Sequence, residues 1–219
     1  MRESGSTPLL PYELDSRLRE GHSWLAGIDE AGRGPVAGPM VTAGVVLPHG
    51  ALLDGVTDSK CLSDARRRAL LPLILETCVG HSISIIEASE IDRNGMAEAV
   101  RRAFSSVAAD LGAGEDPSML VAIDGLPVQG LPFDACFLCK GDRRSLTIAA
   151  ASIVAKVTRD DIMIRAGDEY PAYDFPRNKG YLTPGHLEAL RRVGPCPIHR
   201  RSFSPVSEMT AIGLFGRLR

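Results

Sequence analysis

The stretch Leu25-Ala-Gly-Ile-Asp29-Glu30-Ala-Gly-Arg-Gly34-Pro-Val-Ala-Gly-Pro39 constrains the chain more than any other. It opens as a short apolar run, reaches two adjacent carboxylates and breaks into a glycine-rich loop carrying Arg33. From Met40 to Leu47 the residues are β-branched and apolar again. A strand needs neither acid for its pairing or its core, so Asp29 and Glu30 stand at the rim of a sheet. Gly27, Gly32, Gly34 and Gly38 let backbone approach a ligand or take positive φ without steric cost. Arg33, between two of them, is a natural phosphate-facing charge. A nucleotide P-loop is disfavoured, because Gly32 is followed by Arg33-Gly34 and not by Lys and Ser/Thr. Two readings remain at this point: a β-hairpin with a solvated acidic turn, and a metal site closed by a loop that faces nucleic acid.

The 219 residues, 44% hydrophobic and 24% charged, suffice for one substantial core with short extensions. No apolar run reaches the length of a membrane span and residues 1–23 lack a signal-peptide core, so a cytoplasmic protein is expected. Of the five cysteines only Cys136 and Cys139 are close. On a strand, positions three apart point to opposite faces, which argues for reduced thiols over a disulfide or a zinc pair. The net charge of −2 counts against nucleic acid, but its distribution does not. Residues 1–139 hold 11 Lys/Arg against 19 Asp/Glu, whereas residues 140–219 hold 14 against 8. An acidic centre beside a basic surface is compatible with metal held next to phosphates.

Along the chain, residues 1–22 form a polar tail with a turn or two of helix at Tyr12–Arg19. A strand over about Trp24–Asp29 and a second over about Val36–Leu47 are joined by so short a link that they should run antiparallel. Pro48–Val56 is a loop closed by Asp58-Ser-Lys60. Ser63 caps a helix with an apolar stripe of Ala65, Ala69, Leu70, Leu73 and Ile74, which Pro72 should kink or split. His81–Glu87 alternates with Ile83 and Ile85 as a half-buried strand does. Asn94 caps the cleanest helix, in which Met96, Ala99, Val100, Ala103, Phe104, Val107, Ala108 and Leu111 mark one buried face. Short strands follow at Met119–Ile123 and Ala135–Leu138. A helix over Ser145–Met163 turns Ile148, Ala151, Ser152, Ala155 and Ile162 inward, and Thr183–Arg192 forms another. Pro195–Arg219 is a basic tail without a period. Arg159-Asp160 reads as a structural ion pair at a helix end, and His186 and His199 read as solvated. The expected architecture is an α/β layered domain with a mixed sheet.

Three strand ends finish in acid: Asp29-Glu30, Asp124 and, just beyond its strand, Asp142. Ligand sites in α/β sheets lie off strand ends, so these acids can share one rim. Packed carboxylates repel and raise each other's pKa values unless a cation neutralises them. Oxygen ligands favour Mg²⁺ or Mn²⁺ over zinc, and two such ions suit phosphodiester cleavage. Neighbouring strand residues point to opposite faces, so Asp29 and Glu30 cannot both face one metal pair without distortion.

The blocks Gly27-Ile-Asp-Glu-Ala-Gly-Arg-Gly34, Asp58-Ser-Lys60, Asp124-Gly125, Lys140-Gly-Asp142, Ala149-Ala-Ala-Ser-Ile-Val-Ala-Lys-Val-Thr-Arg-Asp160 and Lys179-Gly-Tyr-Leu-Thr183 follow an order that resembles bacterial ribonuclease HII from about Trp24 to Phe203. The large N-terminal extension of ribonuclease HIII is missing. The resemblance implies a ribonuclease H-like mixed sheet flanked by helices, with a small C-terminal helical extension. It divides the chain into a tail (1–22), a catalytic domain (23–182) and a helical, basic extension (183–219) packed on that domain. It implies a metal-dependent endoribonuclease that cuts the RNA strand of RNA–DNA hybrids. Single ribonucleotides embedded in duplex DNA are cut on their 5′ side, as in ribonucleotide excision repair, leaving a 5′-phosphate and a 3′-hydroxyl. By position, Asp29, Glu30, Asp124 and Asp142 match the catalytic, metal-binding acids. Gly32, Arg33 and Gly34 match the loop that reads the ribose 2′-OH, and Tyr181 matches an aromatic that stacks on a sugar. Lys60 and Lys179, with Arg33, are candidate phosphate contacts. The expected mechanism has metal-bound water attacking the phosphorus in line. A monomer suffices, and a sliding clamp docking on the tail is left open. Two alternatives stand beside this reading: a two-metal DNA nuclease or resolvase of the same fold, and a non-catalytic hybrid-binding module.

Overall fold

The computed structural model describes residues 11–211. Its centre is a five-stranded mixed sheet of order β3-β2-β1-β4-β5. The strands are β1 (Trp24–Ala31), β2 (Met40–Val46), β3 (Gly80–Ile86), β4 (Met119–Asp124) and β5 (Ala135–Leu138). β1 returns antiparallel into β2, with Asp29 opposite Ala43, and β3 extends that meander. On the other side β4 lies parallel to β1, and β5 parallel to β4. The helices are α1 (Pro11–Leu18), α2 (Asp64–Thr77), α3 (Ala88–Asn94), α4 (Met96–Asp110), α5 (Leu146–Glu169), α6 (Phe175–Asn178), α7 (Pro184–Val193) and α8 (Val206–Ala211).

Strand parity sorts the side chains. Ala26, Ile28, Val121 and Ile123 point to one face, where α4 covers them with Val100, Phe104 and Val107. Burying Phe104 alone contributes about 1.5–3 kcal/mol. Leu25 and Ala122 point to the other face, against Ile148 of α5. Farther along that face Ala43 and Val45 pack under α5 and α2 through Ala150, Val154, Leu70 and Ile74. The long helix rides unusually close because it meets glycine. A Cβ at Gly27 would sit 2.5 Å from the carbonyl carbon of Thr147. Ser145 starts α5 by accepting the Ile148 amide at 3.1 Å. A third cluster joins the exit of the glycine loop (Val36, Ala37) and Met163 to Tyr173, Phe175, Leu190 and Val206.

Several local expectations change. Pro72 does not split α2, which runs unbroken from Asp64 to Thr77. Proline removes only one ladder bond, and the burial of Leu70 and Ile74 holds the helix together. Its buried set is Arg67, Leu70 and Ile74; Ala65 and Ala69 are exposed and Leu73 is 50% exposed. The alternation in β3 has the opposite sense. Ile83 and Ile85 are the exposed set, because the β2 register buries Ile86 opposite Met40 under α4 and so turns Ser84 and Ser82 to that helix, where Ser82 bonds Asp110. Asn94 is the last residue of α3, a helix without a sequence period. Gly95, at φ 80°, is the break before α4. The stretch after Pro195 contains α8, and α1 is anchored: Asp15 accepts both the amide and the hydroxyl of Thr147.

Candidate active site

The parity that builds the core also assembles the acids. Asp29 shares its face with Leu25 and Gly27, and Asp124 shares its face with Ala122, so on adjacent parallel strands both turn toward α5. The β1–β4 ladder stops at Ile28 and Ile123, one residue short of either acid. Lys140, at φ 55°, then turns the chain after β5 into a single 3-10 turn that carries Asp142. Carboxylate oxygens of Asp29, Asp124 and Asp142 all lie within 4.8 Å of one another. Glu30 has the opposite parity and stays out of this trio. Its Oε1 accepts from Arg33 Nη1 at 3.1 Å, while its buried Oε2 has no hydrogen-bond partner among the described residues.

The surroundings fix the trio. Asp29 accepts the Glu30 amide at 2.7 Å, and Ser152 of α5 also bonds its carboxylate. Asp124 accepts the Gly141 amide at 2.5 Å. Lys60 places its ammonium 3.2 Å from Asp142, and the Lys60 amide is held at 2.8 Å by the buried Asp58. Arg143 pairs with the same Asp58. Burial, then the neighbouring Glu30 charge, holds the Asp29 carboxyl well above the usual carboxylate range. Burial also raises Glu30 and Asp142, against the opposing pull of Arg33 and Lys60 respectively. On Lys60, burial is outweighed by Asp142 and the ammonium is held above its usual value. Three carboxylates this close repel unless protons or a cation relieve them, and an all-oxygen donor set fits a hard divalent ion.

These acids open into a cleft of about 290 Å³. Of the residues singled out in the sequence, Asp29, Glu30, Gly32, Arg33, Gly34, Lys60, Asp124 and Tyr181 line it. Asp142 adjoins it through Asp124 and Lys60. Lys179 is not brought in: its ammonium donates to the Pro176 carbonyl, and its own carbonyl accepts from Arg159. Ala31 and Ser59 line it without having been singled out in the sequence as site residues, and so do three residues of α5: Ser152, Lys156 and Arg159. Their spacing of four and then three on one helix is the signal that places them on a single stripe.

Arg159 is not at a helix end and forms no ion pair with Asp160. It is fully buried within α5, donating to the carbonyls of Ala37, Pro39 and Lys179, while Asp160 accepts from Lys156. His186 and His199 are not solvated either. Both are 1% exposed, with their Nε2 atoms 3.0 Å apart. The five cysteines are all free, as the spacing implied.

A mixed sheet flanked by helices, with carboxylates gathered at the ends of neighbouring strands, defines the ribonuclease H class of fold and enzyme. The comparisons narrow the class. The model of the family described as "Ribonuclease HII" matches residues 26–206. A ribonuclease HII from Ruminiclostridium cellulolyticum is 43% identical over 197 residues, covering 89% of this chain and 75% of its own length. The Chlamydia muridarum ribonuclease HII is 43% identical over 206 residues, covering 91% of each. Among solved structures, the ribonuclease H2 of Pyrococcus horikoshii superposes with a TM-score of 0.71 at 25% identity, over 86% of this chain and 98% of that one. The Archaeoglobus fulgidus RNase HII, solved in complex with PCNA, gives 0.69 at 25% identity over 83% and 95%. A Bst-RNase HIII solved with Mn²⁺ shares the fold at 0.62 and 20% identity, over 89% and 72%. The chain belongs to the ribonuclease HII family. It is an endoribonuclease of the ribonuclease H type, acting on the RNA of RNA–DNA hybrids.

Proposed function

We propose that the chain cuts on the 5′ side of ribonucleotides, including single ones embedded in duplex DNA, and leaves a 5′-phosphate and a 3′-hydroxyl. In this reading Asp29, Asp124 and Asp142, with Glu30 at the edge, are catalytic acids that hold two Mg²⁺ or Mn²⁺ ions. The observation that carries it is the trio of carboxylates within 4.8 Å beside a glycine loop and an exposed tyrosine in one cleft. The unpartnered Glu30 Oε2 fits a further cation contact. When bound, the ions supply an activated water and charge stabilisation at the leaving oxygen.

This chain's own groups do the rest. The peptide groups of Gly32, Arg33 and Gly34 meet the 2′-OH, the one group that separates ribose from deoxyribose. The Tyr181 ring, 49% exposed, stacks on the neighbouring sugar. Lys60 faces the scissile phosphate from its seat on Asp142, and Arg33 faces a flanking one. Lys179 stands outside the cleft, and its place in the reading is an outer phosphate contact. The cellular role that follows is ribonucleotide excision in the cytoplasm. No helix among the described residues is long and apolar enough to cross a membrane. A sliding clamp enters as a proposed partner because the Archaeoglobus relative was solved with PCNA; residues 212–219 of the tail lie outside the described residues.

The test uses a DNA duplex with one ribonucleotide, with and without Mg²⁺, beside an all-DNA duplex. Cleavage of the first alone is expected. Cleavage of both would make the chain a DNA nuclease, and cleavage of neither would reduce it to a binding module. Asp124→Asn should abolish cutting while the duplex remains bound, and Arg33→Ala should lower kcat/KM on the single-ribonucleotide duplex about tenfold. Full activity in either variant removes that residue from the site.

A further inference from the structure

Arg200 lies in the basic stretch after Pro195, yet it is among the most buried residues of the chain. Among the described residues it forms no ion pair. A buried cation without a counter-ion is costly unless hydrogen bonds use its donors. Here every hydrogen bond of the guanidinium goes to a backbone carbonyl, and its Cζ lies over the Phe203 ring at 5.1 Å from the centroid. Nη2 donates to Gly32 at 2.6 Å, Nη1 to Arg33 at 2.8 Å, and both Nε and Nη2 to Gly38. The Arg200 amide also donates to the Val36 carbonyl, and the Gly38 amide donates to Ile198. The glycine loop is therefore gripped from inside at Gly32, Arg33 and Gly38 by a side chain 168 positions away from Gly32 in sequence, while Arg159 holds Ala37 and Pro39.

Peptide planarity gives that grip a consequence. In a trans peptide the C=O and the following N–H point in opposite directions. With the carbonyls of Gly32 and Arg33 drawn inward onto Arg200, the amides of Arg33 and Gly34 are turned the opposite way. Neither amide donates to any group among the described residues. Gly32, Arg33 and Gly34 all line the cleft that holds the carboxylates.

The residue before Arg200, the buried His199, reaches the Tyr181 side of the cleft through His186. His186 Nδ1 lies 2.9 Å from the Tyr181 carbonyl, which can only accept, so that nitrogen carries the proton. His186 Nε2 then accepts from His199 Nε2–H, and His199 Nδ1 accepts the Cys196 amide at 3.0 Å. Two neutral rings thus satisfy every donor and acceptor in this buried relay. The glycine loop and the Tyr181 turn also touch directly: Val36 and Ala37 both donate to the Gly180 carbonyl.

We propose that Arg200 is a positioning residue for ribose recognition, turning the Arg33 and Gly34 amides toward the substrate 2′-OH while His199, through His186, holds Tyr181 at a fixed distance from them. The inference rests on the reading of the glycine loop given under Proposed function. It assigns the C-terminal segment 196–200 a part in specificity and leaves the chemistry to the acids.

The experiment compares binding of two duplexes, one with a single ribonucleotide and one all-DNA, by the full chain in EDTA so that nothing is cut. Arg200→Lys keeps the charge but not the planar fork, and Arg200→Met keeps the volume but neither. Wild type is expected to prefer the ribonucleotide duplex. Both variants are expected to lose about tenfold of that ratio, the worth of two hydrogen bonds, with all-DNA binding and the cooperative melt retained. A variant that melts like wild type and keeps the full ratio overturns the proposal. Should both variants fail to fold, amide NMR of the wild-type chain decides. Arg33 and Gly34 resonances should move with the ribonucleotide duplex beyond their movement with the all-DNA one, and equal movement overturns the inference. If wild type itself shows no preference, the reading of the loop fails; if wild type prefers ribose and the Arg200 variants do too, only this inference fails.

Discussion

Replacing Asp29 by asparagine separates what the acid cluster costs the fold from what it contributes to chemistry. Its carboxylate lies within 4.8 Å of both Asp124 and Asp142, and the residue is 4% exposed. Two unit charges at that distance repel by about 3 kcal/mol at an effective dielectric of about 20. Proton uptake relieves part of this, since burial and the Glu30 charge hold the Asp29 carboxyl well above its usual range. Asp29→Asn keeps the shape and an acceptor for the Glu30 amide while removing the charge. In EDTA the variant should therefore be more stable by about 2 kcal/mol, which for a chain of this size is about 4–8 °C in Tm. Mg²⁺ at about 100 times its Kd should raise wild type by about 2.7 kcal/mol. The variant, with one carboxylate fewer, should gain less, so the order of the two melts narrows or reverses as Mg²⁺ is titrated. Differential scanning calorimetry in EDTA and across a Mg²⁺ series measures this directly, and cleavage by the variant should be lost throughout. A variant that melts below wild type in EDTA, or equal Mg²⁺ shifts for both proteins, would refute the reasoning.

Two further outcomes follow from packing alone. Gly27→Ala forces a Cβ to within 2.5 Å of the Thr147 backbone, which no rotamer change can relieve; the variant should lose about 1–3 kcal/mol in urea unfolding, and unchanged stability would mean that α5 slides freely on β1. His199 is held neutral: burial, then the neighbouring His186, pulls its pKa down to about 4. A folded-state value below the unfolded value of about 6.5 contributes stability that is present above pH 6.5 and lost as pH falls toward 4, by about 3 kcal/mol in all. The stability difference between wild type and His199→Asn should accordingly shrink over that window, and a difference independent of pH would contradict the relay.

What the sequence discloses depends on whether a signal is local. The period of α4, the cap at Ser63, the helix starts at Ser145 and Thr183, and the strand that ends in Asp29-Glu30 are each complete within a few residues, and each appears where the pattern places it. Period two declares that β3 alternates but not which set faces α4; the burial of Ile86 opposite Met40, settled by a pairing 46 positions apart, decides that. Asn94 is a good capping residue by type, yet Gly95 can take φ 80° at no steric cost and so claims the break between α3 and α4. Arg159 reads as half of an ion pair, His186 and His199 as solvated and Arg200 as part of a basic tail, because their partners are carbonyls or each other, and carbonyls leave no mark in a sequence.

The two adjacent acids carry the same lesson into the site. As letters Asp29 and Glu30 are equivalent, and the family blocks match them as a set. The fold divides them by parity: Asp29 falls on the face where Gly27 lets α5 come down, beside Asp124, and is sealed there by Ser152. Glu30 falls on the opposite parity, and only its longer side chain and the pull of Arg33 keep it at the cleft. Its backbone is held in the β1–β2 ladder opposite Thr42 and its side chain is aimed by Arg33 of the loop, while the Asp29 side chain is set by the core. The loop is in turn set by Arg200. A change at residue 200 should thus reach Glu30 before it reaches the trio, and under the proposed reading it couples the loop to a cleft acid whose buried Oε2 has no hydrogen-bond partner among the described residues.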